Sequence, residues 1–218
     1  MKSLINTFEQ KLEYIFTDFN ENSRGYAWYD LNDAFGSEKH SVEQKAKELF
    51  IYLANWGMVA RGSFLMKHTW RILRYIVEVL QKSEYKDLRN PKIETVYRNI
   101  NLLITLRDEI DESLRTYHDN KIVSYTLISK IILGTLGCTV AYDKNVRIIL
   151  SATGIASAKF DDDSIKSLCE YYMQNRVDFE RLRKKVEERT KKNCPPFKLL
   201  DLILYSAANM DSSDGSEE

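Results

Sequence analysis

The feature that most limits how this chain can fold is how seldom its helical periodicity is interrupted. Its 218 residues contain three prolines and eight glycines, and between these breakers apolar residues return at steps of three and four. A stripe with that period buries itself only against other helices. The pattern therefore predicts an all-α protein: a single-domain multi-helix orthogonal bundle packed around a central apolar helix. The domain is expected over residues 1–210, followed by a disordered acidic tail, DSSDGSEE, at 211–218. No internal repeat or flexible linker divides the chain.

Individual helices follow from their start and stop signals. Ser41 and Gln44 form a capping-box start for a helix running to about Arg61, with Val42, Ala46, Leu49, Phe50, Leu53 and Trp56 on one face and an end near Gly57 or Gly62. A second helix is expected from about Ser63 to Lys82, forming a hairpin with the first. Asn90-Pro91 reads as a capped entry to a long helix whose stripe runs from Ile93 to Tyr117 and stops at His118-Asp119-Asn120. The next segment, IVSYTLISKIILGTLG, is apolar on nearly all sides and is expected at the centre. A short helix from Lys144 to Ala152, a turn at Gly154, a long charged helix from near Asp163 and a closing helix, FKLLDLILYSAA, complete the chain. Asp161, Asp162 and Asp163 stand at the positive end of the charged helix, a placement the helix dipole explains without calcium.

Composition sets bounds on function. Lys plus Arg and Asp plus Glu each total 32, so no global positive field draws in nucleic acid or an anionic membrane, and either would need a local patch. A hydrophobic share of 44% supplies a core that needs no staples. Cys138, Cys169 and Cys194 form no CxxC pair and read as reduced thiols. The amino-terminal stretch carries Glu9 and Glu13 among its apolar residues, which neither a signal-peptide core nor a membrane span tolerates. The expected setting is therefore the cytoplasm, with no membrane partner. His40, His68 and His118 are scattered, and P-loop, GxGxxG, GxSxG and HExxH motifs are absent, so no metal and no cofactor is expected.

The segment KIILGTLGCTVAYDKNVRIILSATGIA carries the most information. On one reading Asp143 is a helix N-cap, Gly134 and Gly137 allow a tight turn or close helix packing, and Val146, Ile149 and Leu150 enter the core. On the other, VAYDKNVRIIL followed by TGIA resembles the helix-hairpin-helix DNA glycosylase family around its catalytic aspartate. That resemblance spans about one eighth of the chain. It implies that Asp143 polarises water or stabilises positive charge on a sugar, with Arg147 on the helix that follows. The family's glycine-rich hairpin, whose amides grip a DNA phosphate, should precede the aspartate, but DNKIVSYTLIS contains no glycine. Lys130 does not stand at the spacing of the lysine used by bifunctional members, and reads equally as a snorkelling residue of the central helix.

A second feature is NWGMVARGSFLMKHTWRILR, which mixes Trp56 and Trp70 with Arg61, Lys67, Arg71 and Arg74. It reads either as core tryptophans beside a solvated basic face or as a phosphate-facing, base-stacking surface. WGMVARGSF and LGTLGCTVAYDKNVR also resemble segments of uncharacterised bacterial helical proteins. Tyr26, Trp28 and Tyr29 either line a pocket or staple a loop to the core. Together these features lead to the expectation of a nucleic-acid-binding protein with a glycosylase-like core. Asp143 would stand at the reaction centre, and Arg61, Arg71, Arg74 and Arg147 would contact phosphates of DNA or another nucleic acid. The competing expectation is a non-catalytic helical interaction module with a protein partner or a second copy of itself.

Overall fold

A computed structural model describes residues 4–17 and 19–208; the expected tail at 211–218 lies outside the described residues. It contains eleven α-helices among those residues: α1 (Leu4–Ile15), α2 (Ala27–Gly36), α3 (Val42–Asn55), α4 (Leu73–Leu80), α5 (Ile93–Arg98), α6 (Ile100–Arg115), α7 (Tyr125–Leu136), α8 (Lys144–Thr153), α9 (Asp162–Gln174), α10 (Arg176–Thr190) and α11 (Pro196–Ala208). The described residues contain no strand, and short 3-10 turns connect several of the helices. A continuous apolar core runs from Ile5 to Leu204, so the chain is an all-α, single-domain bundle.

Helix α7 is its centre, as its all-round apolar sequence requires. Every residue from Leu127 to Leu136 is buried. Three helices hold it. The indole of the fully buried Trp28 in α2 donates to the Leu133 carbonyl at 2.8 Å. Gly134 lets Leu31 of α2 and Tyr52 of α3 approach so closely that a Cβ there would lie 2.7 Å from each. Helix α6 packs along another side of α7. Trp28 and Tyr29 are thus core residues, and the aromatic cluster around Tyr26 joins Phe19 to them as a staple.

The capping box of α3 forms as expected. Ser41 Oγ accepts from the Gln44 amide at 3.2 Å, and Gln44 Oε1 accepts from the Ser41 amide at 2.8 Å. The helix ends at Asn55 in a left-handed turn at Gly57 (φ 73°), with the Met58 amide bonded back to the Leu53 carbonyl.

Elsewhere the expected helices are shorter than their stripes. The helix expected from Ser63 to Lys82 consists of two 3-10 turns, Phe64–Lys67 and Trp70–Ile72, before α4 begins. The Ser63 and Thr69 hydroxyls cause this by accepting from the Leu65 and Arg71 amides, which restarts the chain twice. The helix expected from Ile93 to Tyr117 breaks at Asn99 (φ −111°, ψ 25°), and the long charged helix breaks in nearly the same conformation at Asn175 (φ −110°, ψ 26°). In each, the asparagine side chain donates to the carbonyl four residues earlier, Thr95 or Tyr171, and diverts the backbone ladder. Nor does Asn90 cap a helix. It has positive φ, its amide donates to the Leu136 carbonyl, and its side chain exchanges hydrogen bonds with Asn32, tying the 88–92 loop to the end of α7.

Candidate functional site

The loop 137–143 leaves α7 through Gly137, whose φ of 66° is the left-handed C-cap conformation. Side chains from two helices pin it. Ser129 of α7 accepts from the Tyr142 amide at 2.8 Å, Thr126 donates to the Tyr142 carbonyl at 2.9 Å, and Asp201 of α11 accepts from the Ala141 amide at 2.9 Å. The Tyr142 ring stacks on Phe160, and its hydroxyl meets Ser164. Asp143 is therefore delivered to the start of α8 by a rigid loop.

Asp143 has two partners. Its Oδ1 accepts from the Val146 amide at 3.1 Å and caps α8; its Oδ2 lies 3.5 Å from Lys130 Nζ. Lys130 projects from the middle of α7, with only 8% of its side chain exposed against 15% for Asp143, and also donates to the Trp56 carbonyl at 3.2 Å. An ammonium in such a place is tolerated because a carboxylate and a carbonyl replace its water.

A second buried pair adjoins the first. Lys198 Nζ lies 3.8 Å from Asp201 Oδ2 and 5.3 Å from the centre of the Trp28 ring. Burial raises the Asp201 carboxyl above the usual carboxylate range. Lys198 and the Ala141 amide oppose the rise, the Asp143 charge adds to it, and Lys130 opposes it. The same two carboxylates, after burial, push the Tyr52 hydroxyl up. Lys130, Asp143, Lys198, Asp201 and Tyr52 thus form one electrostatically linked group beneath the α7–α8 connection.

The connection into α7 also bears on the site. Between α6 and α7 the chain turns through Asp119 (φ 52°) and Asn120 (φ 58°), a conformation usually left to glycine but tolerated best by these two residue types. Asp111 fixes the turn by accepting from the Val123 amide at 2.7 Å, and His118 stacks on Phe64. The order is helix, tight turn, helix, aspartate-capped helix.

The basic residues expected at phosphates fall in separate places. Arg147 is exposed on α8, where a groove of about 680 Å³ is lined by Thr126, Lys144, Arg147, Ile148, Ser151 and Ala158 among others. Its backbone amide donates to the Asp143 carbonyl, while the Asp143 carboxylate pairs with Lys130 instead. Arg71 and Arg74 flank a smaller groove with Tyr75, Glu78 and Tyr117; Arg74 also lies 4.0 Å from Glu43, and Arg71 and Lys47 both lie over the Trp70 ring. Arg61 is exposed in the turn between Gly57 and Gly62 and lines neither groove. No group of three or more histidines, cysteines or acidic residues is placed to hold a metal ion among the described residues, and no described helix is long and apolar enough to cross a membrane.

No family model, curated protein or solved structure matches this chain. The sequence marked Lys130 only as a snorkelling residue at the wrong spacing for a nucleophile, whereas it is buried and paired, and Lys198 and Asp201 were passed over. Their signal was present nonetheless: a lysine within ISKIIL, and a lysine and aspartate three apart within FKLLDLIL, are charges that a buried stripe excludes unless they pair.

Proposed function

We propose that this protein binds nucleic acid and acts at a small charged centre formed by Asp143 and Lys130, after the manner of the helix-hairpin-helix glycosylases that the VAYDKNVR segment resembles. The observation that carries the reading is the Lys130–Asp143 pair: an amine 3.5 Å from a carboxylate at a helix start, both largely sheltered from solvent. A carboxylate so held stabilises positive charge developing on a sugar, and a low-dielectric setting strengthens that effect. The tight turn at Asp119-Asn120 and the aspartate-capped helix after α7 support the same reading, because their order parallels the hairpin and aspartate of that family. Arg147 and Lys144 on the exposed face of α8 are the phosphate contacts nearest this centre in sequence. Arg71 and Arg74, on a separate groove, and Arg61, on neither groove, would contact phosphates away from this centre.

The test is a salt titration of binding to duplex and single-stranded DNA by the full chain. The logarithm of affinity should fall linearly with the logarithm of salt concentration, and Arg147→Gln should lower the magnitude of that slope by about one. Absence of binding even at low ionic strength overturns the proposal. With DNA carrying damaged bases, Asp143→Asn should keep binding and lose base excision; excision by this variant at the unaltered rate removes Asp143 from the chemistry.

A further inference from the structure

We propose that the cleft between the start of α5, α10 and the 193–196 loop binds a phosphomonoester, a dianion borne by a small molecule or by the end of a nucleic acid strand. The cleft has a volume of about 570 Å³, within the range of small-ligand sites. It shares no lining residue with the Lys130–Asp143 centre or with the grooves beside Arg147 and Arg71. Four cations, Lys92, Arg98, Arg176 and Arg183, line it with two carboxylates. Both carboxylates are taken: Glu94 by Arg176, and Glu180 by Arg183 at 2.8 Å and by the Tyr172 hydroxyl at 2.9 Å. Lys92 and Arg98 are left over. Neither side chain makes an ion pair or hydrogen bond among the described residues, although Arg98 also borders a groove that holds Asp162 and Asp163. The cleft therefore carries two uncompensated positive charges, and a phosphomonoester near neutral pH carries close to two negative ones. A carboxylate or a backbone phosphodiester brings only one.

Exposed cations without partners are ordinary on a protein surface; the backbone around these two is not. All three prolines of the chain, Pro91, Pro195 and Pro196, line this one cleft, and each has its φ fixed by its ring. Asn90 beside them holds a left-handed φ of 45°, a conformation costly for a residue other than glycine, and is kept there by Asn32 and the Leu136 carbonyl. The 193–196 loop is held as well, because Glu187 Oε1 accepts from both Arg183 and the Cys194 amide. The forks of Arg176 and Arg183 are likewise oriented by their carboxylates. Walls set before a ligand arrives lower the ordering cost of binding. The prolines also give the body of an ester an apolar surface beside the charges that take its phosphate.

The test is calorimetric titration of the full chain at low ionic strength with phenyl phosphate and with phenyl sulfate, which has nearly the same shape but a single negative charge. Phenyl phosphate should bind one to one and about tenfold more tightly than phenyl sulfate. Lys92→Gln and Arg98→Gln should each weaken it roughly five- to tenfold, and Arg147→Gln should leave it unchanged. Since neither Lys92 nor Arg98 holds another side chain, both variants should melt with the parent. No binding of phenyl phosphate, equal affinity for the two esters, or full affinity in the variant carrying both Lys92→Gln and Arg98→Gln overturns the inference. A 5′-phosphorylated oligonucleotide that binds more tightly than its 5′-hydroxyl counterpart assigns the phosphate to a strand end. Equal binding of the two oligonucleotides, with phenyl phosphate still bound, assigns it to a small molecule.

Discussion

Lys130 Nζ lies 3.5 Å from Asp143 Oδ2 while Asp143 Oδ1 holds the Val146 amide, so a single carboxylate both caps α8 and neutralises a charge buried in α7. The two duties separate by substitution. Asp143→Asn keeps an oxygen for the cap and removes the counter-charge, leaving Lys130 with the Trp56 carbonyl, at a cost of about 3–5 kcal/mol. Asp143→Ala removes the cap as well and should cost about 1 kcal/mol more. Pairing Asp143→Asn with Lys130→Met removes both charges and should recover part of the loss. Urea unfolding of the parent, Asp143→Asn, Lys130→Met and the double variant measures this, and strictly additive effects would show that the pair is not coupled.

Gly134 and Gly137 are both required, for different reasons. An alanine methyl at Gly134 would meet Leu31 and Tyr52 at 2.7 Å, and overpacking of that kind outweighs the better helix propensity of alanine, so Gly134→Ala should destabilise by about 1–2 kcal/mol. Gly137→Ala meets both a φ of 66° and the Asn90 side chain 2.6 Å away. Gly57→Ala faces a similar φ of 73° with nothing within 4 Å, and should cost less. Thermal or urea melts rank the three, and a stabilising Gly134→Ala would contradict the close packing of α7 on α2 and α3.

The glycines and caps are also where sequence and structure agree best. Ser41 with Gln44 caps the helix that follows it, and so does Asp143 on the first of its two readings, because capping is decided within four residues and needs no tertiary information. The breaks at Asn99 and Asn175 escaped notice because the first lies inside an unbroken apolar stripe and the second inside a run free of proline and glycine, where asparagine is only mildly unfavourable for a helix. Asn90-Pro91 matched a cap signal locally, but the Leu136 carbonyl and Asn32 took the asparagine for a tertiary contact instead. At the site, Asp143 stood out by its context, whereas its partner Lys130 did not. The thirteen-residue separation places the two together only because loop 137–143 folds back over α7, anchored by Ser129 and Asp201.

The thiols provide a probe of how tightly this core is closed. Burial pushes the Cys169 and Cys194 thiols up to about 12 and Cys138 higher still, and all three are fully enclosed. A thiol that is both protonated and enclosed does not attack a disulfide reagent. The native chain at about pH 8 should therefore react with an aromatic disulfide reagent only as fast as it opens, and all three thiols should react at once in denaturant. One equivalent of rapid reaction by the native protein would mean that one of these helix contacts is open in solution.

Stability in acid should depend on Glu180. Burial alone would raise its carboxyl, but hydrogen bonds from Arg183 and from the Tyr172 hydroxyl outweigh that and hold it below the usual glutamate value. A carboxyl depressed in the folded state contributes stability that is present above its unfolded value and is lost as pH falls through the folded one. Asp201, raised by its burial, acts in the opposite sense: its contribution is present at low pH and is lost as pH rises through its folded value. Comparing Glu180→Gln with the parent cancels the Asp201 term, since both proteins contain it. The parent should lose melting temperature more steeply than Glu180→Gln as pH falls from the ordinary glutamate value, and the two curves should converge at the acid end. Parallel curves across that range would show that the link from Tyr172 of α9 through Glu180 to Arg183 of α10 does not hold in solution.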